Sequence, residues 1–134
     1  MSNGIRYPGV EEIEEFNLLA LAVIKVKKAD AHKVLSRAKI IVAIEGCKNA
    51  EGDIYLKAAV LISALVSAHA FASGNRRTAF ITAKYFVLSN NGSFGITDDP
   101  ANAKTMMGIR EGYYSEDEIT EWIKHGKIRE FERR

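Results

Sequence analysis

The stretch AAVLISALVSAHAFASGNRRTAF, residues 58–80, decides the fold. Its first half, AAVLISALVSA, is apolar on every face. A helix of that kind must be surrounded by other helices or sheets. Its second half turns polar through Gly74 and Asn75 and then meets two adjacent arginines, Arg76 and Arg77. A buried helix therefore runs into a short loop, and a second helix leaves that loop with basic residues in its first turn.

Working outward, the chain reads as a series of helices. A first helix is expected from Val10 to Lys27, with Ile13, Phe16, Leu19, Ala20 and Val23 in an approximately helical pattern. A second follows an Asp30 cap and stops at Gly46. The central apolar helix begins near Asp53 and ends near Ala68. The fourth starts after Asn75, taken as its N-cap, and ends at Asn90-Asn91-Gly92. Asp98 or Asp99 introduces a fifth, with Pro100 in its first turn. The sixth opens on the capping box of residues 115–118, SEDE, and closes at Gly126. Residues 127–134 read as a polar tail. No strand pattern of any length is visible. The expectation is one all-α domain over residues 1–134, of about six helices around a buried central helix.

Composition narrows the function classes. The 19 basic and 17 acidic residues nearly balance, at a net charge of +2, which argues against a broad nucleic-acid or membrane footprint and leaves room for a local basic site. The single cysteine, Cys47, allows no intramolecular disulfide. The acidic start MSNGIRYPGVEEIEEF is unlike a signal peptide, and the longest apolar run, around residues 58–72, is too short to span a bilayer. A cytoplasmic protein is expected.

Arg76 and Arg77 carry the functional reading. Basic side chains in a helix's first turn face the positive end of its dipole, which costs roughly 0.3–1 kcal/mol each when exposed. Unpaired backbone N–H groups point the same way. A bound anion would remove both problems, and Gly74 lets the backbone approach it. Against this, arginines at a helix start can bend into solvent or pair with acids. His69 has two readings as well. At the end of an apolar helix it can be a hydrogen-bonded core residue. Six positions before Asn75, its neutral imidazole can instead take a proton from a hydroxyl attacking a phosphate. Phe71 reads as a core plug in either case. A DNA-binding helix-turn-helix would also place Arg76, Arg77 and Thr78 at the start of a helix. The following residues, Ala79, Phe80, Ile81, Ala83, Tyr85, Phe86, Val87 and Leu88, leave no wide polar face to lie in a groove.

This constellation resembles the Fic/Doc superfamily, and more closely its Doc (death-on-curing) toxin branch. The Fic signature is H-P-F-x-[DE]-G-N-G-R-x-x-R, and the Doc branch reads about H-x-F-x-D-x-N-K-R. His69, Phe71, Gly74, Asn75 and Arg77 match, and Thr78 and Ala79 continue as NKRTA does in Doc proteins. The later segment EDEITEWIKHG also agrees. The motif loop is 69–77, the similarity spans about residues 50–126, and the first 50 residues match only loosely.

The resemblance implies a helical Fic/Doc fold and a set of roles. His69 would be the general base that activates a substrate hydroxyl, and Phe71 would anchor the loop. Asn75 and the N–H groups from Gly74 to Arg77 would hold phosphate oxygens, and Arg77 would pair with a phosphate. Arg76 stands where Fic proteins have glycine and Doc proteins have lysine. It keeps the Doc charge in a bulkier, planar form. Phe80 stands where the last Fic arginine would be, which disfavours adenylyl transfer. Ser73 occupies the position of the family's metal-ligating acid, and a hydroxyl is a poor substitute for the carboxylate that usually fixes Mg²⁺. The implied activity is transfer of a phosphate from ATP or another nucleoside triphosphate to a Ser/Thr hydroxyl of a protein target. A translation elongation factor is the family's precedent target, and an antitoxin would be the partner. Because of Ser73, a catalytically silent module that binds a nucleotide or a partner is the alternative, and a Fic-type adenylyltransferase is a lesser one.

Overall fold

The computed structural model describes residues 4–24 and 32–133. Among the described residues six helices follow one another: α1 (Val10–Ile24), α2 (Arg37–Asn49), α3 (Ile54–Ala68), α4 (Asn75–Ser89), α5 (Asn102–Arg110) and α6 (Glu116–His125). Among the described residues there is no strand, only an isolated antiparallel bridge between Val34 and Phe71. The all-α expectation is met. No helix among the described residues is long and apolar enough to cross a membrane.

The apolar α3 is the axis. It packs against α2, α4, α5 and α6, while α1 lies against α4 and α2. Leu61, Ile62, Leu65 and Val66 of α3 are buried, and Ala58 and Ala59 let neighbouring helices come close. The α3 and α4 core continues through Ala79, Ala83, Phe86 and Val87. Asp53 caps α3 by accepting from the N–H groups of Tyr55 and Leu56, both at 3.0 Å. The capping box of α6 forms in full: Ser115 Oγ accepts from Glu118 N at 3.1 Å, and Glu118 Oε1 accepts from Ser115 N at 2.9 Å. Gly126 ends α6 in the left-handed conformation.

Several boundaries differ from expectation. The expected Asp30 cap and the Lys27 end of the first helix lie outside the described residues. Within them, α2 starts at a Ser36 cap, whose Oγ accepts from Lys39 N, and runs past Gly46 to Asn49. The reason is its buried stripe. Ile40, Ala43, Ile44 and Cys47 recur at helical spacing on both sides of Gly46, so burial outweighs the propensity cost of one glycine. Asp99 accepts from Ala101 N at 2.8 Å, but the helix proper begins at Asn102 after a tight turn through Pro100. Residues 127–133 do not hang free as a polar tail. Phe131 is buried, Tyr114 Oη donates to Arg129 O, and the Arg129 guanidinium lies 4.0 Å from the centre of the Tyr113 ring. Arg129 also pairs with Glu118, and together with the Ser115 N–H it holds that carboxyl down at about 2.

Lys57 is an ammonium inside the core. It is 4 % exposed and donates to the carbonyls of Cys47, Lys48 and Ala50 at 3.2, 3.0 and 2.8 Å. These belong to the last turn of α2 and its cap, where carbonyls lack helical partners and the dipole is negative. Its ammonium also stands 5.5 Å from the centre of the Tyr7 ring. Burial pushes the neighbouring Cys47 thiol up to about 12, although Lys57 pulls the other way.

Candidate functional site

α3 stops at Ala68, and His69 turns the chain with φ 53° and ψ 47°. A left-handed residue at that place is the usual way to end a helix, but it is usually glycine. The imidazole of His69 is exposed. That removes its reading as a core histidine. Two residues later, Phe71 is buried to 2 % and fixes the loop in the core.

From Phe71 to Asn75 the loop is closed by one side chain. Asn75 Oδ1 accepts from Phe71 N at 3.1 Å, and Asn75 Nδ2 donates to Phe71 O at 2.8 Å. The sequence makes Asn75 the expected N-cap of α4. Asn75 is instead the first helical residue, and its amide serves the loop. Gly74 is the N-cap, with φ 78°, and it supplies no side-chain cap. A Cβ at Gly74 would stand 3.2 Å from Leu21 Cδ2 and 3.3 Å from Asn17 Nδ2. Both its backbone angle and its contact with α1 therefore favour glycine.

The first turn of α4 is electrostatically inverted. It contains no acidic residue, whereas α1 and α6 open with acids. Arg76 and Arg77 are both exposed there. Among the described residues neither makes an ion pair or a hydrogen bond. Of the acids of α1, Glu11 and Glu14 pair with Arg37, and Glu12 accepts from Gly9 N and Tyr85 Oη. Thr78 follows, buried, with its N–H on the Gly74 carbonyl at 2.9 Å.

Two partners of the loop were not singled out from the sequence. Asn17, on α1, is fully buried. Its Nδ2 donates to Ser73 O at 2.8 Å and to Thr78 Oγ1 at 3.0 Å, so it braces both sides of Gly74. Its Oδ1 faces His32 Nδ1 at 2.8 Å. The signal was present: Asn17 stands beside Ile13, Phe16 and Ala20 on the apolar stripe of α1, where a polar side chain needs a buried partner. The second partner is the segment before α2. Leu35 N and Ser36 N donate to Ala70 O, and Ala72 N donates to Lys33 O, which lays residues 33–36 alongside 70–72.

The family's metal position is poorly furnished here. Ser73 brings no carboxylate, and among the described residues no group of three His, Cys, Asp or Glu side chains is placed to hold an ion. Asp53 is at the far end of α3, whose 15 residues make it about 22 Å long. The described residues do not make a site for Mg²⁺.

What remains is a rigid loop between two helices. An exposed imidazole stands at its start, and an uncapped helix N-terminus with two unpaired arginines stands at its end. The first can exchange a proton and the second can hold an anion. No curated protein sequence matches this chain. The model of the Fic/DOC family matches residues 13–87, which run from Ile13 of α1 to Val87 of α4 and take in the whole loop. That is more than half of the sequence, and the chain belongs to the Fic/DOC family.

Proposed function

We propose that the chain is a Doc-like phosphotransferase that moves the γ-phosphate of a nucleoside triphosphate to a Ser or Thr hydroxyl of a protein target. The observation that carries this reading is the first turn of α4, with its open N-terminus and unpaired Arg76 and Arg77. The hydroxyl oxygen attacks the γ-phosphorus as the bond to the β,γ-bridging oxygen breaks. His69 takes the hydroxyl proton, and the diphosphate leaves. Arg77 pairs with a phosphate, Arg76 adds charge where Doc proteins have lysine, and the N–H groups from Gly74 to Arg77 face its oxygens. Phosphoryl transfer depends on positioning and charge neutralisation, and these groups supply both. An antitoxin that covers the loop, and a translation elongation factor as target, complete the reading by family precedent.

A second reading rests on Ser73. With no carboxylate there to bring a divalent ion, the loop would bind a nucleotide or a partner without turnover. Incubation with γ-labelled and α-labelled ATP in a cell extract separates the readings. Protein label from the γ position alone is expected. Label from the α position means adenylyl transfer, and no label with any divalent metal leaves the silent module.

A further inference from the structure

Asn17 and His32 form an arrangement that the roles above do not use. Both polar atoms of the Asn17 amide are engaged. Ser73 O can only accept, so the Asn17 –NH2 must face it, and Oδ1 must face His32. His32 Nδ1 is therefore a donor, and its ring is set by a side chain with no solvent exposure. The His32 residue itself is exposed, and among the described residues its Nε2 has no partner. A surface histidine of no consequence needs no buried asparagine to aim it. Oriented imidazoles, with one ring nitrogen tied down, are the form in which the other nitrogen does chemistry.

Position adds a second argument. Val34 bridges Phe71, and Lys33 O accepts from Ala72 N, so the antiparallel register sets His32 opposite Ser73. His69 stands at the other end of the paired segment. His32 is thus at the end nearer Gly74 and the first turn of α4. Asn17 links the same points independently, since one side chain touches His32, Ser73 and Thr78.

We propose that His32 is a further ligand-contacting residue, aimed by Asn17 as a positioning residue, and that its Nε2, taking up a proton from solvent as the anion binds so that both ring nitrogens are donors, donates to a phosphate oxygen of the nucleotide held at the start of α4. The proposal rests on the nucleotide reading above. An Nδ1–H bound to an amide oxygen stays in place whether or not Nε2 carries a proton, so Nε2 is the nitrogen left to meet an anion. His32 then adds a third donor side chain to Arg76 and Arg77, on the side of the loop where Ser73 offers no carboxylate.

The test is calorimetric titration of ATP into the wild type, His32→Ala, His32→Gln and Arg77→Ala, with melting temperatures and ring-nitrogen NMR of the wild type. His32→Ala should weaken binding roughly ten- to a hundredfold, the range of a charge-assisted hydrogen bond. His32→Gln, whose amide can still donate, should recover most of it. His32→Ala leaves the buried Asn17 Oδ1 without its donor and should lower the melting temperature, whereas His32→Gln, whose amide can donate to it, should melt close to the wild type. The NMR should show His32 protonated at Nδ1 in the free protein. If Arg77→Ala weakens ATP and His32→Ala does not, the His32 contact is overturned and the nucleotide site stands. If the wild type binds no ATP, both fall. A protonated Nε2 with bare Nδ1, or a glutamine variant that melts as the wild type does and restores no affinity, also overturns the contact.

Discussion

The C-terminus of α2 and the N-terminus of α4 both lie close to cations, and the two ends are finished in opposite ways. At α2 the cation comes from inside the protein. Lys57 reaches three carbonyls at the negative end of the helix, where it neutralises the dipole and satisfies orphan acceptors. At α4 the cations stand at the end that is already positive, and the Gly74 cap supplies no side-chain acceptor. The first arrangement is complete within the chain. The second is favourable only when something negative arrives. The comparison teaches that the same residue class serves stability at one helix end and binding at another, and that helix polarity tells which.

The comparison is sharpest where function and stability separate. The largest effect is expected at the loop itself: His69→Ala should lower transfer by roughly 10²–10⁴-fold, as for loss of a general base. Its exposure means that folding and ATP affinity should hardly change. Labelling and melting measured on the same preparation check this, and a large loss of stability with activity retained per folded molecule rules out the catalytic role. Next comes the closed helix end. Lys57→Met keeps much of the volume but strands three carbonyls, and should destabilise by about 2–4 kcal/mol in denaturant unfolding. ATP affinity of the folded fraction should stay as it was. An equal loss of affinity would break the division between the two ends.

Arg77→Ala should show the opposite signature. ATP binding should weaken by roughly 1.5–3 kcal/mol, while stability should rise by about 0.3 kcal/mol as a misplaced cation leaves the helix start. A variant that loses stability instead would mean that Arg77 is structural. The smallest effect concerns Ser73. Ser73→Asp adds a carboxylate beside the cradle and should raise Mg²⁺-dependent ATP affinity by about 1 kcal/mol, with any transfer rate rising in step. Calorimetry with and without magnesium tests it on both forms. If the wild type already binds Mg–ATP far more tightly than ATP alone, another residue supplies the ligand.

Much of this was legible in order along the chain. The buried α3 with its start near Asp53, the capping box at Ser115 and the loop from His69 to Arg77 all rest on neighbours within a few positions. What was not legible depends on contacts across the chain. Asn17 meets Ser73 and Thr78 across 56 and 61 positions, and no local pattern announces which buried polar group it serves. Lys57 looks like a solvent-facing break in an apolar helix until α2 ends above it. Gly46 looks like a stop until the stripe through Cys47 is seen to be buried. Asn75 reads as the cap of α4 because capping is a common use of that residue, and the loop closure to Phe71 competes for the same amide.

The backbone at His69 has a consequence for any population of variants. A non-glycine residue at φ 53° carries a standing conformational cost of about 1 kcal/mol that glycine would avoid. At this one position selection for a folded chain and selection for a working one pull in opposite directions. A library screened for thermal resistance would be enriched in glycine there, and the same library screened for transfer would be enriched in histidine.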